Sequence, residues 1–141
     1  MTQISVQYIP VTVLDVDEAL GFYRDGLGLE VVSDVANAGF RWVSLAVPGQ
    51  PGLNLVLSAP GAGRSDADAQ SLAELVAKGA LGGLVLSVDA LDPLFESLSA
   101  SGAEVLQEPM DQPWGPRDCA FRDPSGNMVR ILQATPAAQN A

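Results

Sequence analysis

The sequence predicts an α+β fold built from two tandem βαβββ modules that form a cupped mixed sheet around a cavity. Three observations carry this. Most apolar residues fall in short runs of period two, the pattern of half-buried strands. One stretch near the start of each half switches to the 3.6-residue spacing of a helix face. The halves also repeat. Val13-Leu14-Asp15-Val16-Asp17 overlays Val88-Asp89-Ala90-Leu91-Asp92 at an offset of 75, Gly28-Leu29-Glu30-Val31 overlays Gly102-Ala103-Glu104-Val105 at 74, and Pro48-Gly49 corresponds to Pro124 and the turn after it at 76. Each half is too small to bury its own sheet face, so pairing the two makes one domain over residues 1–133.

The first module is expected over residues 4–58. Residues 4–13 alternate, and Pro10, with no N–H to give a ladder, puts that strand at an edge. Asp15 caps the following helix, with Glu18 three residues on in capping-box spacing. Ala19, Leu20, Phe22, Tyr23 and Leu27 form its apolar stripe, and Gly26 and Gly28 end it. Glu30–Val35 and Phe40–Val47 read as strands. Pro48-Gly49-Gln50-Pro51-Gly52 is a turn before a fourth strand, Leu53–Leu57. Residues 59–70, rich in Ala, Gly, Ser and Asp, read as a linker, and Ser71–Lys78 as a short helix, so that 59–80 joins the modules.

The second module is expected over residues 81–133. Leu84, Leu86 and Val88 make one strand face. Asp92-Pro93 reads as an N-cap and a first-turn proline, with Leu94, Phe95 and Leu98 as the helix stripe. Ala103–Gln107, Arg117–Arg122 and Met128–Leu132 complete the set. The last strand follows the tight turn Asp123-Pro124-Ser125-Gly126-Asn127 and carries Arg130 on its otherwise apolar Met128/Leu132 face. Residues 134–141 read as a flexible tail.

Seventeen acidic against seven basic residues give a net charge of −10, which argues against nucleic acid as a partner. A single cysteine, Cys119, excludes an internal disulfide and sits in a strand pattern as a small hydrophobe. No signal peptide and no apolar run of membrane-spanning length are evident, so a cytoplasmic protein without membrane contact is expected.

The doubled pattern resembles the vicinal oxygen chelate superfamily, the group of glyoxalase, bleomycin-resistance and extradiol dioxygenase proteins. The resemblance runs over residues 4–133 and rests on Asp15-Val16-Asp17-Glu18-Ala19-Leu20-Gly21-Phe22-Tyr23, Leu27-Gly28-Leu29-Glu30, Trp114-Gly115-Pro116-Arg117-Asp118 and Phe121-Arg122-Asp123-Pro124-Ser125-Gly126-Asn127. It implies the glyoxalase/bleomycin-resistance fold, a homodimer, and a divalent metal held by one ligand from the first and last strands of each half. Mapped here, those positions are Tyr8, Asn54, Gly83 and Arg130. Glycine has no donor, arginine repels a cation, and the chain has no histidine. The expectation is therefore no metal and no cofactor.

What remains is a cavity lined by Tyr8, Phe40, Trp42, Asn54, Trp114, Asp118 and Arg130, suited to a flat organic ligand. Trp42 is either a packed aromatic or a stacking platform. Trp114 lies in a Pro/Gly-rich loop over the mouth. Arg130 either pairs with Asp118 or meets the ligand. No histidine is present to activate Ser44 or Cys119 as a nucleophile. The expected function is metal-independent binding of a small organic molecule, similar to the bleomycin-resistance branch, sequestering an aromatic or toxic compound. The alternative is an enzyme of the same fold, either metal-independent or glyoxalase/dioxygenase-like with a non-standard metal site.

Overall fold

The computed structural model describes residues 2–135. Its elements run β1 (Tyr8–Thr12), α1 (Val16–Leu20), β2 (Glu30–Asn37), β3 (Phe40–Ala46), β4 (Asn54–Ser58), α2 (Asp66–Ala77), β5 (Leu84–Val88), α3 (Leu91–Ala100), β6 (Glu104–Asp111), β7 (Arg117–Arg122) and β8 (Met128–Gln133). They make two four-stranded mixed sheets, in the orders β1-β4-β3-β2 and β5-β8-β7-β6. In each sheet the first strand lies at an edge and pairs in parallel with the last, as Pro10 in β1 requires.

Helices α1 and α3 each lie on one face of their sheet, and the two covered faces share a core. Val13, Tyr23, Val43, Leu45 and Leu57 enter it from the first module, and Leu91, Cys119, Phe121, Val129 and Ile131 from the second; all are fully buried. Phe22 meets Phe121 edge to face at 6.5 Å. Gly26 lies so close to α3 that a Cβ there would sit 2.6 Å from Leu98 Cδ2 and would displace that buried side chain. The segment that contains it, Gly21–Gly26, continues α1 as a π-helical turn, with Leu27 N–H reaching back to the Phe22 carbonyl. Gly28 then reverses the chain at φ +78°.

Five boundaries differ from the sequence expectation: β1 spans Tyr8–Thr12 and not 4–13, and the other four have a physical reason. Helix α2 begins at Asp66, inside the stretch read as linker, because Ser65 Oγ accepts from Asp68 N–H and Asp66 and Asp68 favour the positive helix end. Helix α3 starts at Leu91, and its cap is not Asp92. The Gln133 side chain accepts from Leu91 N–H at 2.9 Å, while Asp92 turns outward to Arg117. Strand β6 runs past Pro109 to Asp111. It is an edge strand, and irregular register around Gln107 and Met110 accommodates the proline. Strand β2 reaches Asn37 through a two-residue hairpin whose Ala38 and Gly39 both have positive φ.

The expected tail lies outside the described residues from 136 onward. No helix among the described residues is long and apolar enough to cross a membrane.

Candidate functional site

The face of each sheet turned away from the shared core is open, and strand register fixes what it carries. On the first sheet Tyr8 pairs with Asn54 and Asn54 with Ala46; one row on, Pro10 pairs with Val56 and Val56 with Ser44; in the next, Thr12 pairs with Ser58 and Ser58 with Trp42. Phe40 meets the Trp42 ring at 6.4 Å and 69°, and packs against Gly61. On the second sheet one row runs Val85, Arg130, Ala120, Gln107, and the next Ser87, Leu132, Asp118, Met110. Period-two alternation puts an apolar face on the core and leaves this mixed polar and apolar face outward.

The second face is hollowed. Val85, Gln107, Gln112, Trp114, Pro116, Asp118, Arg130 and Leu132 enclose a concavity of about 500 Å³. Trp114 stands at its rim, 78% exposed, on the loop between β6 and β7. The structure thus brings together three of the expected ligand residues, Trp114, Asp118 and Arg130. Tyr8, Phe40, Trp42 and Asn54 lie on the other sheet and do not line this concavity. A smaller hollow of about 130 Å³ lies where β1 approaches the start of β5 and contains none of the seven.

An ion pair organises the floor. Arg130 Nη1 donates to Asp118 Oδ2 at 3.0 Å and to Gln107 Oε1 at 3.1 Å. Asp118 is buried. Its Oδ1 accepts from Gln107 Nε2 and from Gln112 Nε2, each at 2.8 Å. Burial works to raise the Asp118 pKa, but hydrogen bonds from Gln112, Gln107 and Arg130 outweigh it and hold the carboxyl below its usual range. Next to it on β7, Cys119 faces the core. Burial first, then the charges of Asp118 and Asp92, push its thiol up to about 11, so it is not a nucleophile at neutral pH. The two glutamines were not foreseen. Only the register irregularity in β6 turns Gln107 toward Asp118, and sequence spacing does not disclose it.

The divalent metal that the family resemblance implies does not fit. Tyr8 and Asn54 do lie side by side in register. In the second sheet, however, Arg130 pairs with Val85 and not with Gly83, which precedes β5 and packs against the Met128 carbonyl. The four corresponding positions are then a phenol, an amide, an alkyl group and a guanidinium already paired with a carboxylate, which is no donor set for a divalent cation. Among the described residues no three His, Cys, Asp or Glu cluster to hold one elsewhere.

The turn at 123–127 is a structural centre. Asp123 Oδ1 accepts from the backbone N–H groups of Ser125, Gly126 and Asn127, and Oδ2 from Asn127 Nδ2 and the Tyr23 hydroxyl at 2.7 Å. Asn127 Nδ2 also donates to the Thr12 carbonyl, and Ser125 Oγ accepts from Leu14 N–H. The turn therefore ties the second module to β1 and to the π-helical turn after α1 of the first, and it delivers β8 with Arg130 to the open face.

Comparison with known proteins agrees with this architecture. The family model described as Glyoxalase/Bleomycin resistance protein/Dioxygenase superfamily matches residues 5–131. The crystal structure of UcmS2 is 29% identical, with a TM-score of 0.84 over 94% of this chain and 100% of that one. TnmS3, an antibiotic binding protein from Streptomyces sp. CB03234, is 28% identical, with a TM-score of 0.73 over 96% of this chain and 99% of its own. An uncharacterized protein of Shewanella frigidimarina (strain NCIMB 400) is 28% identical over 133 residues, 92% of this chain and 93% of its own.

Proposed function

The chain belongs to the glyoxalase/bleomycin resistance protein/dioxygenase superfamily, and from that premise we propose that it is a metal-independent binding protein for a small aromatic compound, held in the concavity of the second sheet. The observation that carries the proposal is the concavity itself. Val85, Trp114, Pro116 and Leu132 give it apolar walls beside a hydrogen-bonded polar floor of Gln107, Gln112, Asp118 and Arg130, and its volume of about 500 Å³ suits a drug-sized molecule. Asp118 is held as a carboxylate by Arg130 and two glutamines with a lowered pKa, which makes it a weak proton acceptor. Binding is therefore favoured over catalysis. The similarity to TnmS3, an antibiotic binding protein, points the same way. Sequestration of a toxic compound in the cytoplasm is the corresponding role.

The reading includes a homodimer. Ile4, Val6 and Tyr8 are exposed apolar residues on the segment leading into β1, Ile4 at 93% exposure, and the outer edge of β1 has no strand partner among the described residues. A second copy would cover both. Light scattering showing only the 14.6 kDa chain would refute the dimer.

The binding test uses the variant Trp42→Phe, which leaves Trp114 as the only tryptophan of two. Titration with naphthalene-sized aromatic compounds is expected to quench Trp114 fluorescence to saturation. Quenching that occurs only in the reciprocal Trp114→Phe variant, from Trp42, would overturn the assignment.

A further inference from the structure

Arg41 and Arg117 use their two donor edges in the same way, whereas Arg64 and Arg122 put Nη1 on backbone carbonyls. Arg41 grips Asp34 with the Nε/Nη2 fork, at 2.9 and 2.7 Å, while its Nη1 holds a second carboxylate, Asp17, at 2.8 Å. Arg117 does the same, with the fork on Asp92 at 3.0 and 2.8 Å and Nη1 beside Asp111 at 3.5 Å. Arg24 places its fork on Asp25.

Arg130 has half of this arrangement. Nη1 is engaged by Asp118 and Gln107, but Nε and Nη2 have no hydrogen-bond partner among the described residues. Neither atom is sealed from solvent, because no buried side-chain nitrogen lacks a partner. Arg130 lines the concavity, with 30% of its side chain exposed. Its orientation is set by an Asp118 carboxylate that two glutamines hold in place.

We propose that the free Nε/Nη2 fork of Arg130 is the recognition element of the concavity, and that it selects ligands bearing a planar carboxylate, the second carboxylate of the pattern seen at Arg41 and Arg117. This rests on the reading of the concavity as the binding site and adds the chemical class of the ligand. Two parallel N–H groups match the two oxygens of a carboxylate, and a point charge does not reproduce that match. Charge alone does not favour an anion here, since Asp118 already neutralises Arg130 and the whole chain carries −10. Geometry at contact is what discriminates.

The test compares three probes of one shape, 2-naphthoate, 2-naphthamide and 2-methylnaphthalene, on the Trp42→Phe protein with Trp114 quenching as the readout. The expected result is naphthoate binding about tenfold or more tighter than naphthamide, the scale of one charge-assisted hydrogen bond. Arg130→Lys, which keeps a cation beside Asp118, is expected to bring the two affinities together. Equal binding of naphthoate and naphthamide to the Arg130 protein would overturn the fork while leaving the site intact, and it needs no variant at position 130. A naphthoate preference that survives Arg130→Lys in a protein with a native circular dichroism spectrum would also overturn it. If none of the three probes quenches Trp114, both the site and the fork are wrong.

Discussion

Tyr23→Phe removes one hydroxyl from the contact that joins the modules. Tyr23 is fully buried, and burial first, then the charge and hydrogen bond of Asp123, raise its pKa far above the ordinary phenol value, so it stays a donor. Its hydroxyl is one of two side-chain donors to Asp123 Oδ2, the other being Asn127 Nδ2. Asp123 is itself buried, so the lost donor is not readily replaced by water. A hydrogen bond to a charged group contributes about 1.5–3 kcal/mol. The substitution should therefore cost about 2 kcal/mol, and lower the Tm by about 4–8 °C at 2–4 °C per kcal/mol for a chain near this size. Urea unfolding at pH 7, followed by circular dichroism and by the fluorescence of Trp42 and Trp114, measures it. Trp42 reports on one module and Trp114 on the other, and the two curves should coincide because the turn binds the modules into one unit. Asp123→Asn should cost more, since its amide nitrogen would face Asn127 Nδ2 donor to donor. A loss below about 0.5 kcal/mol for Tyr23→Phe, within the range of an ordinary surface change, would refute the reasoning.

Three further outcomes follow from the same contacts. The folded pKa of Asp118 is depressed, so its contribution to stability is fully present above the unfolded carboxylate value of about 3.9 and is lost as pH falls through the lower folded value; the Tm gap between wild type and Asp118→Asn, followed by calorimetry, should be constant above about pH 5 and close in more acidic solution. Cys119, with its thiol pushed up to about 11 and its side chain buried, should resist a disulfide reagent at pH 8 in the native protein and react once urea unfolds it. Gly126→Ala should destabilise by about 1–3 kcal/mol in urea unfolding, because φ is +116° there and a Cβ would collide with the carbonyl oxygens of Val76 and Ala77 at the end of α2.

The sequence pattern disclosed the doubled fold because period-two alternation and the offset of 74–76 are properties of the chain itself. The same alternation put Asp118, Arg130 and Leu132 on one open face, and register confirms that grouping. Most of what it did not disclose was set by tertiary partners. The first part of helix α2, Asp66 to Gln70, reads as linker because Ala, Asp and Ser carry no hydrophobic period, and there the missed signal is local, the Ser65 cap. Helix α3 is capped by Gln133, 42 residues away, which no local signal shows. Carrying Tyr8 over to Gly83 relied on a uniform repeat offset, whereas strand register pairs Arg130 with Val85. Phe40, Trp42, Tyr8 and Asn54 were grouped with Arg130 by assuming that both open faces line one hollow; the concavity beside Arg130 draws its walls from the second module alone.

The central claim is that a small aromatic ligand occupies this concavity. A crystal of the protein soaked with 6-bromo-2-naphthoate tests it through the anomalous signal of bromine. The expected result is one bromine site among Val85, Trp114 and Leu132, with the carboxylate on Nε and Nη2 of Arg130. A bromine site over Tyr8, Trp42 and Asn54 on the other sheet, with the Arg130 concavity empty, would contradict the account.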